Sequence, residues 1–310
     1  MFNFEILLQQ ILNGLVLGSV YAMVALGYTM VYGILQLINF AHGDVLMVGA
    51  MVGVTVVTLL VPMGLPGPVL LLAAVAAAVP VCVLLSLFIE RVAYRPLRNA
   101  PRLAPLITAI GVSIVLQTVA MIIWKPNPLV FPDLLPTEPV NIFGALLAPK
   151  QILILAVSTA MMTALMLLVN RTRLGRAMRA TAESPRNAAL MGVDANRVIA
   201  ATFAIGAALA AVAGVLVAMN YNIAQFSMGF IPGLKAFTAA VLGGIGNIPG
   251  AVLGGLLLGV IESLGAGYIG DLTGGFLGSH YQDIFAFVVL IIVLVFRPSG
   301  LMGERVADRA

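Results

Sequence analysis

Runs of about 20 apolar residues recur from one end of this chain to the other, and each is long enough to cross the hydrocarbon core of a bilayer as a helix. Within a run the apolar residues are continuous instead of alternating with polar ones, which selects helices over a closed barrel. Hydrophobic residues fill 61% of the 310 positions and charged residues 9%, far from the balance of a soluble domain. The expectation is an all-α polytopic membrane protein forming a single domain over residues 1–310. The opening MFNFEILLQQ carries no basic region and no small-residue cleavage site, so no removable signal peptide is expected.

Helix candidates fall at residues 11–32, 42–61, 69–89, 103–124, 152–169, 198–219, 234–242, 249–269 and 281–296. The seventh is too short to span alone. Residues 234–269 therefore form either one long helix broken at 243–249 or a half-span followed by a full one, about eight to nine transmembrane helices in all. A similar break lies at residues 39–44.

Arginine placement orients the chain. Arg91, Arg95, Arg98 and Arg102 crowd one loop, six arginines occupy residues 171–197, and Arg297, Arg305 and Arg309 follow the last span. The positive-inside rule puts all three segments, 91–102, 171–197 and the C-terminus, in the cytoplasm. Two spans separate the first two segments, so the proline-rich stretch 125–150, with Trp124 at its membrane edge, falls outside. Parity then places the turn at 243–249 on or near the cytoplasmic side and the N-terminus outside.

The two breaks resemble related parts of an internal repeat. Each joins a small-residue helix to a turn containing glycine and asparagine, Asn39 in one and Asn247 in the other, followed by a glycine-spaced helix. Discontinuous helices in two halves point to a substrate path, because broken helices expose backbone dipoles at depth. Asn39, His42, Gly43, Asp44, Gly243, Gly244, Gly246 and Asn247 are the candidate path residues on this argument. Close helix packing explains small residues spaced by four equally directly, and at the breaks both roles stay open. Asp44 and Asn39 also suit helix capping, which is the favoured role for Asp44. Glu262 has no evident partner, and Lys235 is read as a residue snorkelling to the outer surface.

The chain lacks G-x-x-x-x-G-K-[ST], and none of Lys125, Lys150 and Lys235 follows a glycine, so it is not itself a P-loop ATPase. Cys82 stands alone, and His42 and His280 are far apart, leaving no disulfide and no metal cluster to propose. Neither a catalytic constellation nor a cofactor motif is present, and the basic charge follows loop topology, not nucleic-acid binding. The longest polar interruption, 171–197, holds a short structured element. Ser184 is placed to cap a helix, Pro185 sits at its first position and Gly192 stops it. The segment Ser184-Pro185-Arg186-Asn187-Ala188-Ala189-Leu190-Met191-Gly192 is the candidate docking surface for a cytoplasmic partner.

Three motifs, LNGLVLGSVYAMVALGYTMVYGILQLINFAHGD (12–44), AESPRNAALMGVD (182–194) and LKAFTAAVLGGIGNIPGAVLGGLLLGVIE (234–262), resemble the LivH-type permeases of branched-chain amino-acid ABC importers. The likeness covers nearly the whole chain, with the motifs in the expected order. It implies a bacterial inner-membrane subunit that imports leucine, isoleucine or valine. The implied partners are a second homologous permease chain, two ATP-binding subunits and an extracytoplasmic substrate-binding protein. It also assigns 171–197 as the ATPase-coupling loop. The Glu-Ala-Ala signature of many importers is absent as such, although Glu183 and the pair Ala188-Ala189 stand nearby. A sister importer for urea, amides or sugars would share the architecture. An ion-coupled secondary transporter or passive channel using Asp44, His42 and Glu262 is the reading from a different class.

Overall fold

The computed structural model describes residues 4–98, 100, 101, 103–142, 144–272, 282–297 and 299–303. Arg102, His280, Arg305 and Arg309 lie outside the described residues, as does Tyr281, the first residue of the last candidate helix. Eleven α-helices are described: α1 (Phe4–Leu35), α2 (His42–Leu60), α3 (Gly67–Ile89), α4 (Leu103–Trp124), α5 (Pro149–Arg171), α6 (Arg173–Glu183), α7 (Pro185–Leu190), α8 (Ala195–Tyr221), α9 (Phe230–Gly243), α10 (Ile248–Leu272) and α11 (Gln282–Phe296). Seven of them are long and apolar enough to cross a membrane. α9, with 14 residues, is not, so residues 234–269 resolve into a half-span followed by a full span.

α1 is the axis of the molecule. Its 32 residues extend about 48 Å at 1.5 Å per residue. It packs along α10, α8, α9 and α5, and residues 18–31 are buried without interruption. The seam with α10 has almost no side-chain thickness. A Cβ at Gly18 would lie 2.8 Å from the backbone of Gly255 and Leu256, and one at Gly255 would lie 2.6 Å from Ala22 Cα. Lipid offers apolar surfaces no driving force to associate, so close backbone approach and dispersion hold such a pair together. α2 and α8 meet in the same manner at Gly49, where a Cβ would lie 2.7 Å from Ala211 Cα. α3 and α4 lie at the periphery and expose large apolar residues such as Leu84, Phe88, Ile107 and Ile122, as lipid-facing helices do.

α4 is tethered to α2 by two polar contacts. Trp124 Nε1 donates to Thr55 Oγ1 at 2.7 Å, and Gln117 Nε2 donates to Asp44 Oδ1 at 2.9 Å. The first contact gives the interfacial Trp124 a specific partner.

One end of the bundle carries two antiparallel strand pairs: β1 (Leu129–Val130) with β4 (Ile223–Ala224), and β2 (Val140–Ile142) with β3 (Ala145–Leu147). The stretch 125–150 is thus partly β-structured, a feature its prolines concealed. Gln9 clasps the backbone of Leu146 both ways, accepting from its N–H at 2.7 Å and donating to its carbonyl at 3.0 Å. The N-terminal end of α1 therefore lies beside 125–150, as topology required.

The opposite end gathers arginines and the second break. Arg98 Nη1 donates to Asn196 Oδ1 at 2.6 Å, joining the loop after α3 to the start of α8. Arg98 also pairs with Glu90, whose carboxylate is buried. A Cβ on Gly33, near the end of α1, would stand 3.7 Å from the carbonyl of Gly246 in the second break.

Candidate functional site: a capped turn and two helix breaks

Three consecutive helices at the arginine-rich end start on a side-chain cap. Thr172 Oγ1 accepts from the Gly175 N–H at 3.1 Å, Ser184 Oγ from Asn187 at 3.2 Å, and Asp194 Oδ1 from Asn196 at 2.9 Å and Arg197 at 3.3 Å. Each cap satisfies donors that the first helical turn leaves orphaned. The middle cap begins α7 as expected, with Pro185 at the first helical position and Gly192 at φ +81° beyond the end. The caps at Thr172 and Asp194, and the whole of α6, were missed by sequence reasoning. Thr172 precedes a run rich in arginine, whose polarity masked the stripe of Gly175, Met178 and Thr181 that α6 buries.

α7 turns one residue inward and the rest outward. Ala188 is buried, and its carbonyl accepts from the Val193 N–H at 3.0 Å, which closes the turn back toward α8. Pro185, Arg186, Asn187, Ala189, Leu190, Met191 and Gly192 are exposed, with Leu190 at 81% and Met191 at 85%. Two large apolar side chains thus project from a surface otherwise studded with the exposed Arg171, Arg173, Arg176 and Arg179. α7 packs on α6 and touches α8, which is largely buried against α1, α2 and α3.

The residues of the two breaks occupy distinct surroundings. Asn39 is buried, and its Oδ1 accepts from the Tyr94 hydroxyl at 2.7 Å. The cap position of α2 belongs to Ala41, without a side-chain bond, so neither Asn39 nor Asp44 caps this helix through its side chain. Asp44 turns sideways instead, to Gln117 of α4. His42, buried against Gly27 and Gly206, stacks edge-on with Tyr28 at 5.0 Å between ring centroids.

Gly43 and Asp44 border a cavity of about 310 Å³ between α2, α4 and α9, together with Tyr28, Phe40, Ile110, Ser113, Phe230 and Leu234. Close approach of the helices at this point depends on glycine, since a Cβ on Gly43 would lie 2.6 Å from the Gly229 carbonyl oxygen.

The second break is a tight, closed turn. Asn247 Oδ1 caps α10 by accepting from the Gly250 N–H at 2.9 Å, and its amide donates to the Met302 carbonyl at 2.9 Å. Leu301 and Met302 donate in turn to the carbonyls of Leu242 and Gly243, each at 2.9 Å. Gly244 and Gly246 adopt φ of +106° and +96°, a region that glycine enters without penalty. Gly243 lies against Gly250, and Gly246 borders a smaller cavity of about 100 Å³ with Thr29, Gly33 and Arg179. The structure thus brings Gly43 and Asp44 together at one cavity and leaves the second break elsewhere, sealed by residues 299–303.

Two charged residues stand far from where the sequence suggested. Lys235 does not snorkel to the surface: it is 4% exposed, and its ammonium lies 2.6 Å from Glu262 Oε1 and 2.6 Å from Asp283 Oδ1. Glu262 is 1% exposed and has this lysine as its partner, with the Tyr21 hydroxyl 3.3 Å from both groups. Lys235 precedes the second turn by 8 residues and Glu262 follows it by 14. That mismatch is about 9 Å of helix rise, and only the reach of the lysine side chain and the packing of α9 across α10 close it. Opposite charges on the two arms of a helical hairpin were the available signal, hidden by the unequal spacing.

The family model described as branched-chain amino acid transport system / permease component matches residues 10–294. The chain is 51% identical over 302 residues to the high-affinity branched-chain amino acid transport system permease protein BraD of Pseudomonas aeruginosa, with 96% of each chain covered. It is 45% identical over 307 residues to the corresponding permease protein LivH of Escherichia coli, with 97% of each covered. Among solved structures it resembles PsaBC from Streptococcus pneumoniae in complex with Fab, at TM-score 0.50 and 16% identity over 96% of this chain and 94% of that one, a likeness of fold alone.

Proposed function

The chain belongs to the branched-chain amino acid transport permease family, and from that premise we propose how it works as the membrane-spanning subunit of an ATP-driven importer of leucine, isoleucine and valine. An extracytoplasmic binding protein delivers the amino acid to the end carrying residues 125–150. Two ATP-binding subunits hydrolyse ATP at the arginine-rich end, which faces the cytoplasm together with the C-terminus. A second, homologous permease chain completes the membrane core.

The observation that carries this reading is the capped turn Ser184–Gly192. It presents Leu190 and Met191 outward while the buried Ala188 closes the turn by accepting from Val193, just before α8. A partner that closes on ATP pushes on α7, and α8 carries the push to α1 and α2, between which the first break lies. Coupling of this kind requires that ATP and the loaded binding protein favour the same conformational state. Gly43 and Asp44, facing a cavity, are the best placed of the break residues to meet a substrate. Asn247, Gly243 and Gly244 serve the turn that joins α9 to α10.

Ala189 is exposed on α7, so replacing it changes the docking surface and leaves the bundle intact. Ala189→Arg should leave the protein in the membrane and reduce leucine uptake in proteoliposomes while ATP hydrolysis continues at the basal rate. Wild-type uptake by this variant would contradict the assignment of the turn. Pull-down of the tagged chain tests the partners: two ATP-binding subunits should accompany it, whereas an ion-coupled transporter would bring down none.

A further inference from the structure

Asp44 is 2% exposed at a depth where the neighbouring helices are apolar, and it borders the cavity between α2, α4 and α9. Its carboxylate accepts from the Gln117 amide, a neutral donor that also reaches Ser113 Oγ at 3.3 Å. No cation pairs with it among the described residues. The contrast with the other buried acids is direct: Glu90 has Arg98, and Glu262 has Lys235. The positive end of α2, whose first turn contains Asp44, offsets a fraction of a charge. A buried carboxylate with neutral partners still has a large unmet demand for a cation.

The rest of the cavity defines what kind of cation fits. Phe40, Ile110, Phe230 and Leu234 make its walls apolar, and its volume of about 310 Å³ is at the small end of the range for ligand sites, roughly 300–1,000 Å³. A hydrated metal ion has no use for such walls. A primary ammonium attached to a short branched aliphatic chain satisfies both features at once. The residues bordering the cavity include no lysine, arginine or histidine, so a ligand's carboxylate gains no ionic partner there.

We propose that this cavity is a substrate subsite within the permease chain, where Asp44 receives the α-ammonium of the amino acid and the apolar walls receive its branched side chain. The inference rests on the importer reading above and deepens it by locating recognition in this subunit as well as in the binding protein. The site reads the ammonium and the side chain and ignores the carboxylate.

The test uses the purified complex of permease chains and ATP-binding subunits, without binding protein or ATP, and measures equilibrium binding of radiolabelled leucine. Saturable binding is expected, with 3-methylbutylamine competing and 4-methylpentanoate failing to compete. Asp44→Asn should weaken binding by roughly 30-fold or more, the loss typical when one member of a buried charge pair is neutralised. Ile110→Trp fills the cavity from a partly exposed position without touching the carboxylate, and it should abolish binding while copurification of the ATP-binding subunits persists. Absence of saturable binding, competition by the acid equal to that by the amine, or unchanged binding in Ile110→Trp and Asp44→Asn would each overturn the subsite. Uptake by wild-type proteoliposomes with loaded binding protein runs in parallel. Leucine uptake that survives both substitutions overturns the subsite and leaves the importer standing, whereas absence of wild-type uptake overturns both.

Discussion

Lys235→Met offers the sharpest test of how the bundle is held together. Methionine keeps the length and apolar stem of the side chain and deletes only the charge, leaving Glu262 at 1% exposure and Asp283 without the ammonium that lies 2.6 Å from each. Removing one partner of a buried pair costs about 3–5 kcal/mol, because the desolvation of the remaining charge is no longer offset. With 2–4 °C per kcal/mol for chains of a few hundred residues, that corresponds to a loss of roughly 6–20 °C in apparent melting temperature. Thermal stability of the detergent-solubilised complex, followed by size-exclusion chromatography after heating, measures it. The second variant, Lys235→Met with Glu262→Gln, removes both charges of the pair in which both partners are buried and should recover most of the loss, since replacing a whole buried pair is far cheaper than breaking it. A single variant as stable as wild type, or a double variant no better than the single, would refute the reasoning.

Two further outcomes follow from the packing and the first break. Gly255→Leu places a branched side chain where a Cβ alone would lie 2.6 Å from Ala22 Cα, so α1 and α10 must separate; yield of folded complex in the membrane should fall severely, beyond the 1–3 kcal/mol typical of overpacked cores. Tyr94→Phe deletes the hydroxyl that donates to Asn39 Oδ1 at 2.7 Å and leaves a buried amide oxygen unsatisfied, which should cost about 1–3 kcal/mol by the same thermal assay while leucine binding at the Asp44 cavity persists.

Much of the architecture was legible because a bilayer leaves few choices. Helix candidates at 103–124 and 42–61 agree with α4 and α2 to within a residue, since apolar length and flanking polarity define a span almost alone. The turn at 243–249 was legible from its glycines, and the cap at Ser184 from the Ser-Pro pair and the following Gly192. α6 escaped notice because its exposed arginines outweigh three buried positions. The partners of Asp44, Lys235 and Glu262 escaped because hydrogen bonds between helices far apart in sequence leave no local periodic signal. Asp44 beside a glycine in a helix's first turn has the sequence pattern of a cap, and only the placement of α4 turns it toward Gln117.

By itself the sequence determined that this chain lives in a membrane, which stretches are long enough to cross it, which loops carry the arginines and where the capped turn lies, because hydrophobic length, charge asymmetry and cap chemistry are local properties. The tertiary structure alone decided which buried charges are paired. Lys235 and Glu262 neutralise each other across a hairpin of unequal arms, while Asp44 is left facing an apolar cavity with neutral neighbours. Charge pairing depends on distances of a few ångströms between helices, and those are set by glycine contacts between helices far apart in the chain, such as Gly14 against Gly259 and Gly255 against Ala22.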